Sequence, residues 1–269
     1  MSDSQGGREI VVMKIGGSVL TGRNAFRRVA QFLKHRSEKA RNEKLVVVVS
    51  AEQGATDAME RQARAIVEDP ALRSLDLLWS TGELRSVALL ALHLQAAGVS
   101  VAGFNVHETG LQFATNHEPC PARPRLTSRH LATMLAEHAV VVVPGFLAVR
   151  WDGTIVSLGR GGSDFSAVLL AAGLRASRCE LIKDVPGYFE EDPHRNTRAA
   201  HLPALSFEEA IRMAQGGCEL VQMRALLAAG ETGMTLVIRS MDERAPVTII
   251  SRGERSRTKQ QHEPVAAKA

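Results

Sequence analysis

The chain has 269 residues, 45% of them hydrophobic and 23% charged, with a formal net charge of +4 and an isoelectric point near 9.2; such a chain can bury a large core, as one large α/β domain or two small ones. No apolar run approaches the roughly 20 residues that cross a bilayer, and the polar stretch Met1–Glu9 has no signal-peptide core, which excludes a membrane partner and implies a cytoplasmic protein. From Arg252 onward five Lys/Arg face two Asp/Glu, so the basic excess sits in the tail; with 4% aromatic residues and no basic–aromatic interleaving, a nucleic-acid partner is excluded as well.

Short apolar runs alternate with helical patterns along the chain. Glu9–Ile15 predicts a strand, Asn24–Ser37 a helix, Lys44–Ser50 a Val-rich buried strand, and Thr56–Glu68 a helix. Leu84–Ala97 reads as an apolar helix stopped by Gly98, followed by a strand at Val99–Phe104, a helix at Ser128–Glu137 and a strand at Ala139–Val143. Then come Thr154–Leu158 (strand), Phe165–Leu174 (helix), Glu180–Lys183 (strand), Phe207–Gln215 and Leu220–Ala229 (helices), and Leu236–Arg239 and Val247–Ile250 (strands). This alternation predicts an α/β fold, a mainly parallel sheet covered by helices on both faces. Residues 1–8 read as a disordered start, 9–250 as one domain and 251–269 as a disordered basic tail. The Pro-rich stretch Glu118–Pro124 is the one irregular insertion, a candidate flap. Cys120, Cys179 and Cys218 are far apart and form no CxxC pair, so neither a disulfide framework nor a zinc site is indicated.

Residues 158–167 are the most informative segment: Leu-Gly-Arg-Gly-Gly-Ser-Asp-Phe-Ser-Ala. Arg160 precedes two glycines, Ser163 is a natural helix N-cap, and Asp164 falls in the first turn. A cation, exposed amides and a helix N-terminus make an anion site for a carboxylate or a phosphate, although a capped loop with a surface arginine has the same sequence. Lys14 stands inside the apolar strand that enters Gly16-Gly17-Ser18, a costly place unless an anion pairs with it or the strand is an edge from which lysine reaches water. The turn matches neither GxxxxGK[ST] nor GxGxxG. Ser50 to Thr56 ends the second strand in small and hydroxyl residues, which fits ligand binding and a Thr56 N-cap equally. In Ser80-Thr81-Gly82-Glu83, Glu83 is either a helix-start carboxylate or a receptor for a substrate ammonium. Lys183-Asp184-Val185-Pro186-Gly187 and the acidic run through Asp192 fit Mg²⁺ contacts or a solvated turn.

Taken in order, these stretches resemble the aspartate kinase family within the amino-acid kinase superfamily. The matching segments are Lys14-Ile15-Gly16-Gly17-Ser18, Val49-Ser50-Ala51 with Thr56, Ser80-x-Gly82-Glu83-x-x-Ser86, and Pro144-Gly145-Phe146. Leu158 through Asp164, Asp184-Val185-Pro186-Gly187, Asp192-Pro193 and Leu205 through Ala210 complete the series over about residues 10–250. The resemblance implies a three-layer α/β/α sandwich, with a substrate half at about 9–150 and a nucleotide half at about 151–250. The implied chemistry is ATP-dependent formation of an acyl phosphate on the side-chain carboxylate of aspartate or a similar amino acid, with Mg²⁺ on the nucleotide. Lys14 and Asp164 would be catalytic. Ser50, Thr56, Glu83, Arg160, Gly161 and Ser163 would bind substrate, and Gly16, Gly17, Ser18, Lys183, Asp184, Phe189 and Asp192 the nucleotide. No protein residue set is implied as a resident metal site. A homodimer or larger homo-oligomer is implied, without the regulatory modules that follow the kinase domain in that family.

Four positions depart from the pattern, all on the nucleotide side. Lys183 replaces a threonine, Phe189 a tyrosine, His194 an arginine and Glu219 a lysine. The last two changes remove about three units of positive charge, of which Lys183 restores one. They leave two further readings: a kinase for another small acidic acceptor with an altered donor site, or a silent paralogue that binds an amino acid or nucleotide.

Overall fold

Strand β1 (Glu9–Ile15) is apolar on both faces, and both faces are covered. The structure is a computed structural model that describes residues 8–113, 125–126, 129–191, 196 and 198–253. After β1 come α1 (Ala25–Lys39), β2 (Glu43–Val49), α2 (Ala55–Ile66), α3 (Leu72–Ala96), β3 (Val101–Gly103), β4 (Leu111–Phe113) and β5 (Arg125–Leu126). The middle of the chain forms α4 (Arg129–Glu137), β6 (Val140–Pro144), β7 (Leu147–Arg150), β8 (Ile155–Ser157) and α5 (Gly162–Gly173). It continues through β9 (Arg178–Ile182), β10 (Tyr188–Phe189), β11 (His201–Leu202), β12 (Ala204–Ser206), α6 (Phe207–Gln215), α7 (Met223–Thr232), β13 (Leu236–Arg239) and β14 (Thr248–Ser251).

Eight strands form the main sheet in the order β12-β14-β13-β9-β1-β2-β6-β3, and every pairing is parallel except β13 with β14. Period-2 alternation sends Val12, Val46, Val48, Val141 and Val143 to one face, where they pack with Leu131, Val168, Ala210 and Leu226 of α4 to α7. Val11, Met13, Leu45, Val47 and Val142 go to the other face, against Val29 and Leu33 of α1 and Leu90 and Leu94 of α3. Two apolar cores on one sheet are the three layers expected. A smaller sheet, β5-β4-β7-β8, and the β10–β11 hairpin stand beside it.

The structure corrects several local expectations. Helix α3 begins at Leu72, not Leu84. The Ser80 and Thr81 hydroxyls donate to Leu77 O and Leu78 O within the helix. A Cβ on Gly82 would meet Met59 Cε at 2.7 Å and Ala51 Cβ at 3.2 Å, so this glycine serves close packing rather than a turn. Glu83 is therefore mid-helix, not a helix-start carboxylate. Ser163 is not an N-cap: Gly161, at φ 72°, takes that place without a side-chain cap, and Ser163 lies within the first turn. Gly54, at φ 76°, likewise displaces Thr56 from the N-cap of α2. Lys14 is on no edge, because β9 and β2 flank its strand. The flap segment Glu118–Pro124, Cys120, Asp192, His194 and residues 254–269 lie outside the described residues.

Candidate active site

Four chain segments leave the carboxyl edge of the main sheet around one cleft of about 840 Å³, the edge at which open α/β sheets take their ligands. The exit from β1 supplies Lys14, Gly17 and Ser18; the exit from β2 supplies Ser50 and Ala51; Phe146 follows β6 and Lys183 follows β9. These turns are built by close backbone approach. A Cβ on Gly17 would stand 3.0 Å from Ala51 O, and one on Gly16 would stand 3.2 Å from Lys14 Nζ.

Asp164, in the first turn of α5, is the electrostatic centre. Lys14 Nζ lies 2.7 Å from its Oδ1 and Lys183 Nζ lies 2.8 Å from its Oδ2. Lys14 and Asp164 are buried, at 7% and 2% exposure. Burial alone would raise the Asp164 carboxyl, but the two ammonium groups outweigh it and hold it far below the usual carboxylate range. Burial depresses the Lys183 ammonium, with Asp164 opposing and Lys14 reinforcing that shift. Two cations and one anion leave this buried trio one positive charge in excess, an arrangement that favours an incoming anion.

Glu83 brings an acidic group to the same cleft. It is 3% exposed, its Oε2 has no hydrogen-bond partner, and it lines the same cleft. Burial pushes its carboxyl up to about 8, opposed by the Ala51 backbone N–H and by Lys14. An ammonium would supply the missing partner. Arg160 is exposed in the cleft lining, directly before the uncapped N-terminus of α5. Gly161 is obligatory there, since beyond its left-handed φ a Cβ would fall 1.8 Å from Gln222 Cγ.

Of the residues singled out in the sequence, Lys14, Gly17, Ser18, Ser50, Thr56, Glu83, Arg160, Gly161, Ser163, Asp164 and Lys183 all line the cleft. Asp184 does not, but its Oδ1 accepts the Ser18 hydroxyl at 3.3 Å and ties the turn after β1 to the turn after β9. Phe189 lies apart from the lining, edge-on to His201 at 5.3 Å. Glu219, Gln222 and Arg224 line the cleft, so the lysine-to-glutamate departure falls inside it. Asp76, Trp79 and Phe146 form a wall not read from the sequence: Asp76 Oδ1 accepts the Ser157 N–H at 3.0 Å, and Trp79 meets the Phe146 ring at 5.8 Å. Asp76 and Trp79 stand seven and four residues before Glu83, on the same helical face, a spacing visible once α3 is extended.

The molecule is an α/β/α protein with a carboxyl-edge cleft that holds a buried Lys–Asp–Lys trio and the Glu83 carboxyl. The chain belongs to the amino acid kinase family, whose model matches residues 9–240. It is 35% identical over 247 residues to an aspartokinase of Thermus thermophilus, covering 90% of this chain and 59% of that protein, so it spans about three fifths of that relative's length. Among solved structures, an aspartate kinase from Synechocystis superposes with a TM-score of 0.76 at 32% identity, over 90% of this chain and 40% of that one. E. coli aspartokinase III, solved with aspartate and ADP, gives 0.76 at 27% identity, over 92% and 66%.

Proposed function

We propose that the chain is an ATP-dependent phosphotransferase that forms an acyl phosphate on the side-chain carboxylate of aspartate or a closely similar amino acid. The observation that carries this reading is the Lys14–Asp164–Lys183 trio facing the same cleft as the Glu83 carboxyl, whose Oε2 has no hydrogen-bond partner. Glu83 would receive the substrate ammonium and the Arg160 guanidinium its α-carboxylate, with Ser50, Thr56, Gly161 and Ser163 completing the pocket. That orientation directs the side-chain carboxylate toward Lys14. A carboxylate oxygen then attacks the γ-phosphorus, the γ-phosphorus–bridging oxygen bond breaks, and ADP leaves with the electron pair. No proton transfer is needed, so the protein's task is positioning and charge neutralisation. Asp164 acts through the lysines that it holds.

Gly16, Gly17, Ser18 and Lys183 would meet the donor phosphates, with Asp184 securing Ser18; Phe189 and Asp192 belong to the donor side in this reading. In this reading residues 9–150 are mainly the substrate half and 151–250 mainly the nucleotide half, with Gly16–Ser18 reaching the donor from the first and Arg160–Ser163 the acceptor from the second. Asp164 is taken by two lysines, and the described residues hold no cluster of three metal-ligating groups. They do not make a resident Mg²⁺ cage, and Mg²⁺ would enter on the nucleotide oxygens. A cytoplasmic homo-oligomer belongs to the same reading.

The test is ADP release with Mg-ATP across aspartate, glutamate and related β-amino acids, trapping the product with hydroxylamine. Hydroxamate formation with aspartate or a near relative is expected. Acceptor binding without turnover on any of them would overturn the kinase reading. Glu219 in the cleft lining favours, as the second reading, an altered donor site or a silent amino-acid-binding paralogue.

A further inference from the structure

We propose that Lys183 is a second catalytic cation in this chain, gripping the transferring phosphoryl group together with Lys14, and that Asp164 is the positioning residue that fixes both ammonium groups. The proposal rests on the kinase reading of the cleft and assigns Lys183 to the chemical step rather than to holding the nucleotide.

Three observations carry it. The first is convergence. Lys14 and Lys183 stand at the ends of neighbouring strands, where Ile15 pairs with Ile182, and each takes one oxygen of a single carboxylate, at 2.7 and 2.8 Å. A lysine serving only the outer phosphates has no reason to share a carboxylate with the lysine at the reaction centre. The second is rigidity. The Lys183 backbone N–H donates to Arg239 O at 2.8 Å, and its side chain is 12% exposed, so main chain and ammonium are both fixed. Preorganised charge of this kind stabilises a transition state without reorganisation.

The third is charge supply. The carboxylate of Glu219 lines the cleft where the resemblance has a lysine. Two of the other lining cations are placed elsewhere: Arg224 donates to Leu158 O at 2.6 Å and stacks over Phe165 at 4.4 Å, and Arg160 precedes α5, where it takes the acceptor's α-carboxylate in the proposed function. Arg150 also lines the cleft, at the end of β7 rather than beside Asp164. Lys183, just past the end of β9, returns a positive charge from a different segment than the turn that carries Glu219. As the γ-phosphorus passes from the bridging oxygen to the acceptor carboxylate oxygen, charge spreads over its equatorial oxygens and ADP departs with the bond pair. Two ammonium groups held by one carboxylate match that distribution.

The experiment compares the wild type with Lys183→Met and Lys183→Arg, each checked for an unchanged thermal transition. It measures kcat, the KM for ATP, and the ratio of ATP to ADP affinity by calorimetry. Lys183→Met should lower kcat by about 10²–10³ while KM for ATP rises by no more than about threefold, and the ATP-to-ADP affinity ratio should fall by a matching factor of about two to three. Lys183→Arg should recover at least about tenfold in kcat. A raised KM with unchanged kcat would make Lys183 a nucleotide-binding residue only and overturn the proposal, as would near-normal kinetics in Lys183→Met. If the wild type turns over no acceptor, the kinase reading fails while the affinity ratio still decides. An ATP preference lowered in Lys183→Met supports the terminal-phosphoryl contact, and equal ratios in both proteins overturn it.

Discussion

Gly145 touches Ser163 with only a hydrogen atom between them: a Cβ on Gly145 would stand 2.8 Å from both the Cβ and the Oγ of Ser163, and 3.0 Å from Val49 O. The Gly145 N–H also donates to Val49 O at 2.8 Å, so the exits of β2 and β6 and the first turn of α5 meet at one point. Gly145→Ala must push α5 away from the sheet edge. Overpacking of this kind costs roughly 1–3 kcal/mol, and it moves Arg160 and Asp164 relative to Lys14. Denaturant titration should show the stability loss, and calorimetry with the acceptor amino acid a matching loss of affinity. A variant as stable and as tight-binding as the wild type would contradict this geometry.

Glu83 sets a conflict between binding and stability. Its folded value of about 8 lies above its ordinary 4.5, so its favourable contribution is complete below about 4.5 and is lost as pH rises through about 8. Glu83→Gln removes that loss. The variant should gain on the wild type between pH 5 and pH 9, by more than ~1 kcal/mol at the upper end, as read from thermal melts across pH. The same change should abolish binding of the ammonium-bearing acceptor. In the wild type, acceptor affinity should rise about tenfold per pH unit up to about pH 8, as the carboxyl ionises.

Outside the cleft lining, Glu180 organises a buried charge network. Arg178 Nη2 lies 2.8 Å from Glu180 and 2.9 Å from Glu43, Arg36 pairs with Glu43 and reaches Glu180 at 3.5 Å, and Arg239 reaches Glu180 at 3.7 Å. Glu180→Ala removes the carboxylate, itself 2% exposed, that all three guanidiniums share; Arg36 and Arg178 keep Glu43, and Arg239 loses its Glu180 partner. Breaking such a network typically costs about 3–5 kcal/mol. Urea unfolding should show that loss, while kcat per folded molecule stays unchanged.

Trp79 offers an optical report of occupancy. The chain has two tryptophans. Trp79 lines the cleft with its indole N–H buried and unbonded, whereas Trp151 is 63% exposed. In Trp151→Phe, adding acceptor or nucleotide should produce a saturable change in emission. An unchanged spectrum at saturation would place both ligands away from the Trp79–Phe146 wall.

Much of this arrangement is legible in the sequence. Glu9–Ile15, Phe207–Gln215 and Leu236–Arg239 form the elements that their apolar runs predict, to the residue. Lys14 is conspicuous because a charge inside such a run needs an anion, and Asp164 proves to be that anion. The differences at α2, α3 and α5 share one cause: glycine and hydroxyl residues resemble punctuation there. Ser80, Thr81 and Gly82 sit inside a helix because their hydroxyls bond back to its carbonyls and the glycine admits Met59. That misreading hid Asp76 and Trp79. Of the small sheet only β8 is anticipated, by the strand expected at Thr154–Leu158; β4, β5 and β7 are two to four residues long and pair across distant segments, too little for periodicity to register.

The position of β1 in the sheet also has a consequence during synthesis. Ser177, just before β9, bonds through both its N–H and its hydroxyl to Ile10 O, a partner 167 residues earlier in the chain. At ~5–20 residues per second, roughly 10 to 30 s pass between translation of the two. Throughout that interval β1 has β2 available on one flank and nothing for the other. The nascent protein therefore carries an apolar, unzipped β edge ending in Lys14, whose counter-ion Asp164 is also still to be made. Closing that edge and neutralising that lysine occur together, so the cleft's electrostatic centre is completed late, in the same event that makes the nascent sheet safe from self-association.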